Sequence, residues 1–302
     1  MTVQEVVCKS ALVRSGIPAA DYALNPYTGC AHGCVYCYAS FMARFSPHDR
    51  PWGQWVDVKV NIPEMLAKDL GRILRAQAGR SARSQSPLVE AGSGATAPRP
   101  FGITISSVTD AYQPLERVYK VTRACLEVLA GASAVPGGTG GGTPAVSVLT
   151  KSDLVLRDID LLQAIPGVDV GMTVTTPDDQ VSAIYEPGAT RSSRRFAALK
   201  KLADAGIATW GFFGPVLPYY SDSPQAVRTM LARFREAGVS RLLVDRFNPY
   251  PAAVSRFLKV APGEASQAFR EYRSRPIEYL DRLRDTVTEE AAQLSFSVEV
   301  LF

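Results

Sequence analysis

The sequence predicts an α/β fold: an open, partial (β/α)6 TIM-type barrel with an N-terminal arm and a C-terminal helical extension. Three observations carry that expectation. Short apolar stretches of strand-like composition alternate with helical periodicity along most of the 302 residues, the pattern of a parallel sheet with right-handed crossovers. Six such units can be counted, too few for the eight of a closed barrel. Two glycine- and serine-rich interruptions, about 78–100 and about 134–144, suspend the alternation without ending it. They read as flexible insertions into one domain spanning 1–302, with a core of about 20–250.

Each element has its own justification. Residues 1–24 form the arm, with a turn at Gly16-Ile17-Pro18 and a free-standing Cys8 that reads as a small packing residue. Tyr36 to Arg44 reads as a helix, stopped by Pro47. Val56 to Val60 alternates with period two and is taken as the first barrel strand. A helix follows from Pro63, suited to a first turn, to about Ala76. Trp52 and Trp55, just ahead of that strand, suit either core packing or a cover over the site. Strands are expected at Phe101–Ser106, Ala145–Leu149, Val168–Val174, Ile207–Phe213 and Ser240–Asp245. Between them lie helices at Leu115–Ala130 (with Cys125 on a packing face), Asp153–Ala164, Ser193–Ala205 and Pro224–Ala237. Gly206 and Gly238 close the last two helices. Residues 260–302 read as the helical extension, with a helix from Glu264 to about Leu294. Val298–Phe302 reads as a short last strand or a non-native tail.

Composition narrows the function classes. Hydrophobic residues at 46% and charged residues at 21% describe an ordinary globular chain, and a net charge of +4 is too mild to indicate nucleic acid by itself. No apolar run approaches the roughly 18 residues of a membrane span, and Met1–Glu5 lacks a secretory pattern, so a cytoplasmic protein is expected. The glycine run 137–142 precedes no Gly-Lys-Ser/Thr, which removes a nucleotide-binding P-loop.

Chemistry enters with Asn25-Pro26-Tyr27-Thr28-Gly29-Cys30-Ala31-His32-Gly33-Cys34-Val35-Tyr36-Cys37-Tyr38. Cys30, Cys34 and Cys37 stand in a Cys-x3-Cys-x2-Cys array. Three thiolates this close can hold three irons of a [4Fe–4S] cube and leave the fourth open to an outside ligand. A structural zinc site would need a fourth ligand, and His32 is the nearby candidate, but the spacing is compressed for a finger or ribbon. A disulfide framework does not suit a chain of this length with five cysteines and no secretory signal.

The cysteine run followed by an aromatic residue resembles the cluster loop of the radical S-adenosylmethionine (SAM) superfamily, and with Tyr38 it is similar to the spore photoproduct lyase branch. The resemblance implies that the open iron binds SAM, and that cleavage of SAM yields a 5'-deoxyadenosyl radical that takes hydrogen from substrate. It also implies an external electron donor of flavodoxin or ferredoxin type. Thr150-Lys151 and Thr173-Val174-Thr175-Thr176 are similar to positions that contact SAM in that branch. On that basis Lys151 is expected at the SAM carboxylate, as a charge-assisted partner, and Thr173 at its polar groups. Tyr36 would offer backbone contacts to adenine. The bland alternatives are a solvated lysine for Lys151 and a good strand former for Thr173.

Strand ends gather the functional groups of parallel α/β folds. Here they present Ser106, Ser107, Thr109, Asp110, Thr175, Thr176, Tyr219, Tyr220, Asp222, Asp245 and Asn248. Ser106, Ser107 and Thr175 join Tyr36, Lys151 and Thr173 as candidate cofactor contacts. Glu186-Pro187-Gly188 reads as a turn; Arg191, Arg194, Arg195, Lys200 and Lys201 form a basic helix, either solvated or facing phosphates. One departure stands out. In an ungapped comparison, Ser107 occupies the position of the cysteine that returns hydrogen in photoproduct lyases, and a hydroxyl is a poor hydrogen-atom donor. The expected function is therefore a monomeric radical SAM enzyme of lyase, rearrangement or carbon–carbon bond chemistry. Its substrate would be a nucleoside, nucleotide or nucleic acid, or else a peptide or small metabolite. The reading of another class is a non-enzymatic metal-binding nucleic-acid module.

Overall fold

A computed structural model describes residues 1–18, 20–84, 101–133 and 144–302, so most of the two expected insertions lie outside the described residues. The strands are β1 (Thr2–Val6), β2 (Leu12–Arg14), β3 (Tyr22–Leu24), β4 (Tyr27–Gly29), β5 (Trp55–Lys59), β6 (Gly102–Ile105), β7 (Ala145–Thr150), β8 (Asp169–Thr173), β9 (Ala208–Val216), β10 (Arg241–Arg246) and β11 (Val298–Val300). Eight of them form one sheet in the order β11-β10-β9-β8-β7-β6-β3-β2. From β3 to β11 every neighbour in that sheet pairs parallel, and β2 is an antiparallel addition at one edge. The two edges are not paired to each other among the described residues, so the barrel is open and partial, as expected.

The first barrel strand is not the expected one. Val56–Val60 does form a strand, but β5 lies in a separate three-stranded sheet, between β1 and β4. Its alternation reports a strand without reporting which partner it takes. The place at the start of the barrel goes to β3, three residues long and too short to show any period. The arm thus supplies three strands, and β11 adds a seventh parallel strand beside β10.

Helices cover the sheet: α1 (Ile62–Ser84), α2 (Glu116–Tyr119), α3 (Val121–Ser133), α4 (Ile159–Gln163), α5 (Asp179–Tyr185), α6 (Ser192–Asp204), α7 (Pro224–Glu236), α8 (Pro251–Val260), α9 (Gly263–Ser274) and α10 (Pro276–Gln293). The helix expected to end near Ala76 runs on to Ser84. The one expected over Leu115–Ala130 is divided at Lys120, whose φ is 53°. Glu116 causes the division: its buried carboxylate accepts the Thr122 and Arg123 backbone N–H groups and so caps α3 afresh. The extension is divided at Arg275, ahead of Pro276, which disfavours helix in the residue before it. A 310 helix, Tyr38–Phe45, stands in place of the helix expected over Tyr36 to Arg44, and another, Asp153–Asp158, forms the first turns of the one expected over Asp153–Ala164. Helices α5 and α8 were not anticipated.

Two apolar clusters fill the interior. One joins β8, β9 and β10 to α6, α7 and α10; the other joins β3, β6 and β7 to α1 and α3 and includes the fully buried Cys125. A small third cluster, Cys30, Ala39, Trp52 and Trp55, lies behind the cysteine loop, so both tryptophans pack rather than cover the mouth. Among the described residues no helix is long and apolar enough to cross a membrane.

Candidate active site

The cysteine loop leaves β4 at Gly29 and reaches the 310 helix at Tyr38, over the C-terminal ends of the barrel strands. Long-range contacts hold it on every side. Gly29, at φ 82°, lies against Trp55, where a Cβ would stand 2.5 Å from the Trp55 carbonyl oxygen. Gln113, fully buried, accepts from the Ala31 N–H at 2.8 Å and donates to Thr109 Oγ1 at 3.2 Å. Gly188 N–H donates to the His32 carbonyl at 2.9 Å, and a Cβ on Gly188 would overlap the Ala31 carbonyl. On the far side Arg256 of α8 donates to the Val35 carbonyl (3.0 Å), the Cys37 carbonyl (3.1 Å) and Ser40 Oγ (3.0 Å).

Beneath the loop lies an ion pair with both partners fully buried, Glu186 and Arg195. Tyr36, between two of the cysteines, donates its hydroxyl to Glu186, and Thr175 Oγ1 stands 3.4 Å from the same carboxylate. Arg195 spends its remaining donors on backbone carbonyls, Nη1 on Thr173 at 2.9 Å and Nε on Thr190 at 2.5 Å. Desolvation pushes the Glu186 carboxyl up, but Arg195, Lys151 and the hydrogen bonds outweigh it and hold it below its ordinary range. The Tyr36 phenol is driven well above its ordinary value by burial and by the Glu186 charge. Arg195 is thus neither solvated nor available to phosphates, which corrects the reading of the basic helix at that position. Arg194 stays on the surface, paired with Asp153.

Lys151 follows β7 directly. Its backbone N–H donates to Asp110 Oδ2 at 2.8 Å, and its ammonium stands 5.8 Å from the centre of the Tyr36 ring. No carboxylate lies within salt-bridge distance of that ammonium among the described residues. Asp110 also accepts from Thr150 Oγ1 and the Tyr112 N–H, and His32 Nδ1 is 3.4 Å away. Burial opposes its charge, but His32 and these donors bring its pKa down to about 2. The Nδ1 edge of His32 is thus turned to Asp110.

The other candidate contacts divide by how their hydroxyls are used. Ser106 Oγ accepts from the Ala111 N–H, and Ser107 Oγ accepts from the Asn25 side-chain amide. Ser106 stands at φ 80°, a strained turn at the end of β6. Thr175 leans on Glu186. Thr173, the last residue of β8, has no hydrogen bond to its hydroxyl among the described residues.

The donor set suits an iron–sulfur cluster. Cys30 and Cys34 are buried and Cys37 is half-buried. Burial pushes the Cys34 thiol up to about 12 and raises the other two, while Lys151 pulls Cys34 and Cys37 back down and Arg256 adds to it at Cys37. Cations beside a thiol triad compensate the charge that a thiolate-ligated cluster brings. Among the described residues no three of His, Cys, Asp and Glu converge as a single metal ion requires.

Sequence reasoning missed Glu186, Arg195, Gln113 and Arg256 as parts of this site. Gln113 carries no local signal beyond its place in a turn, and Arg256 reaches the loop from 219 residues away. A glutamate beside Pro187-Gly188 with an arginine nine residues on is the one pair whose burial could have been suspected.

No protein-family model matches the chain. It is 31% identical over 214 residues to the uncharacterized protein MJ0683 of Methanocaldococcus jannaschii, covering 71% of this chain and 67% of that protein. Mycobacterial relatives at 27% identity are spanned to 64% of their length. Among solved structures, a spore photoproduct lyase mutant with bound AdoMet and dinucleoside spore photoproduct superposes with a TM-score of 0.67 at 16% identity, over 100% of this chain and 82% of the other. Streptococcus suis SuiB bound to precursor peptide SuiA superposes at 0.50 and 15% identity, over 93% and 48%.

Proposed function

Since the chain belongs to one family with the M. jannaschii protein MJ0683 and has the radical SAM fold of spore photoproduct lyase, we propose that it is a radical SAM enzyme with residues 1–302 acting as one unit. The observation that carries this reading is the triad Cys30, Cys34 and Cys37 at the strand ends, two of its thiols buried, with the Lys151 ammonium beside it and unpaired among the described residues. Cys30, Cys34 and Cys37 would hold a [4Fe–4S] cluster. Bound there, cluster and SAM would supply one-electron cleavage to a 5'-deoxyadenosyl radical that takes hydrogen from an organic substrate.

The chain's own residues position and shield. Among the described residues no carboxylate pairs with Lys151, which leaves its ammonium for the carboxylate of SAM. Thr173 offers an unspent hydroxyl at the end of β8, and Tyr36 offers backbone groups to adenine while its side chain is anchored by Glu186. Ser106, Ser107 and Thr175 shape the walls through their internal hydrogen bonds. An external flavodoxin- or ferredoxin-type donor would supply the electron, to a monomeric enzyme in the reducing cytoplasm.

For substrate, a nucleoside or nucleotide is favoured by the likeness to a lyase holding a dinucleoside. A peptide is the second reading, favoured by the likeness to SuiB. Ser107 argues against photoproduct reversal itself, because its hydroxyl, held by Asn25, cannot replace a thiol as hydrogen donor. Anaerobic reconstitution followed by SAM, dithionite and candidate substrates tests the proposal, with 5'-deoxyadenosine and products read by mass spectrometry. About four irons per chain and 5'-deoxyadenosine release are expected. Stoichiometric zinc with no stable iron would overturn it, and so would clean multiple turnover of a photoproduct dinucleotide overturn the exclusion of that reaction.

A further inference from the structure

The apolar cluster behind the cysteine loop contains two polar atoms that nothing in it explains. Trp55 is fully buried and Trp52 is 8% exposed, and the indole Nε1–H of each is buried without an acceptor among the described residues. Both rings pack in one cluster with Cys30 and Ala39, with Cys37 against its side. Their rings meet edge to face at 6.0 Å and 88°. A contact of that kind can offer one N–H the other ring's face, so it accounts for at most one of the two donors. His48 does not serve either: its ring lies 4.9 Å from that of Trp55, yet neither indole N–H bonds to it. The third tryptophan of the chain behaves differently: Trp210 Nε1 donates to Asp169 at 2.8 Å. Phenylalanine at 52 or 55 would fill an apolar cluster without an orphaned donor, so the indoles ask for an acceptor that arrives later.

We propose that Trp52 and Trp55 supply an N–H donor to the sulfurs of the iron–sulfur cluster on its Cys30 and Cys37 side, and thereby raise its reduction potential. The inference rests on the cluster reading above. Donors to thiolate or sulfide withdraw electron density and favour the reduced state, one of the protein's main levers on cluster potential. No residue from the SAM side takes part: the tryptophans act from behind the loop, and their task is to set how readily the electron is accepted.

The experiment uses the reconstituted full chain and its W52F, W55F and double variants. Iron is counted first, then the potential is measured by anaerobic redox titration followed by EPR. With about four irons bound in each, the double variant should shift toward the oxidised form by about tenfold at fixed poise, about 59 mV more negative for one electron. Unchanged potentials at equal iron content overturn the inference and leave the cluster reading intact; wild-type protein that takes up no iron overturns both. In case the variants fold poorly, wild-type chain carrying 15N-indole tryptophan gives an independent reading. Pulsed EPR of the reduced cluster should show 15N coupling, absent in W52F/W55F where that can be made; no coupling in the wild type overturns the proposal.

Discussion

Arg195→Met removes the guanidinium beneath the cysteine loop while keeping much of its apolar stem. The Thr173 and Thr190 carbonyls lose their donors, and the Glu186 carboxylate, fully buried, keeps only Tyr36 and a long contact from Thr175. Each orphaned group alone costs about 1–3 kcal/mol, but the losses overlap, and breaking a buried pair from one side typically costs about 3–5 kcal/mol. At about 2–4 °C per kcal/mol this is a fall of roughly 6–20 °C in Tm. The pH dependence has a definite sign. Glu186 is held below its ordinary range in the folded chain, so its contribution is present above about pH 4.3 and lost as pH falls through the lower folded value. The gap between wild type and Arg195→Met should therefore be full at pH 7 and narrow in acid. Urea unfolding of the cluster-free chain at both pH values, followed by circular dichroism, measures it. Glu186→Gln should cost a similar amount, and the Glu186→Gln/Arg195→Met pair less than the sum of the two. A gap under about 1 kcal/mol at pH 7, or strictly additive single losses, would refute the assignment of this pair as the anchor of the loop.

Cys30→Ala, Cys34→Ala and Cys37→Ala should each lose bound iron after reconstitution, whereas Cys8→Ala and Cys125→Ala keep it; iron loss in Cys125→Ala equal to that in Cys34→Ala would show the ligand set to be wrong. Lys151→Met should retain iron and weaken equilibrium SAM binding about ten- to a hundredfold, the loss of one charge-assisted hydrogen bond of about 1.5–3 kcal/mol; unchanged affinity would return Lys151 to a solvated role. Gly188→Ala puts a Cβ into the Ala31 carbonyl, so it should destabilise the chain by about 1–3 kcal/mol and lower iron uptake without touching any ligand. Asp110, brought down to about 2, contributes stability above its unfolded value near 3.9 that disappears as pH falls toward 2. Asp110→Asn should therefore flatten the acid limb of a stability-versus-pH curve for the cluster-free chain.

The sequence by itself determined what short-range chemistry determines. Cys30, Cys34 and Cys37 lie within eight residues, so their spacing sets which metal centre they can share before any tertiary contact forms. The period of β7 to β10, and the glycines closing α6 and α7, are likewise properties of a few consecutive residues, and those elements appear within a residue or two of their expected limits, save that β9 runs on to Val216. Tertiary structure decided everything that depended on a partner. Whether β5 joined the barrel was settled by β1, fifty residues earlier, and the opening place fell to β3, whose three residues carry no period. Arg195 reads as one more cation on a basic helix, and only the meeting of α6 with Glu186 turns it inward, because a buried charge is tolerated where its counter-charge already waits. Arg256 and the two tryptophans lie in the same class. Their roles arise where distant segments close around the cysteine loop, and no local pattern encodes which backbone carbonyls or orphaned donors will meet there.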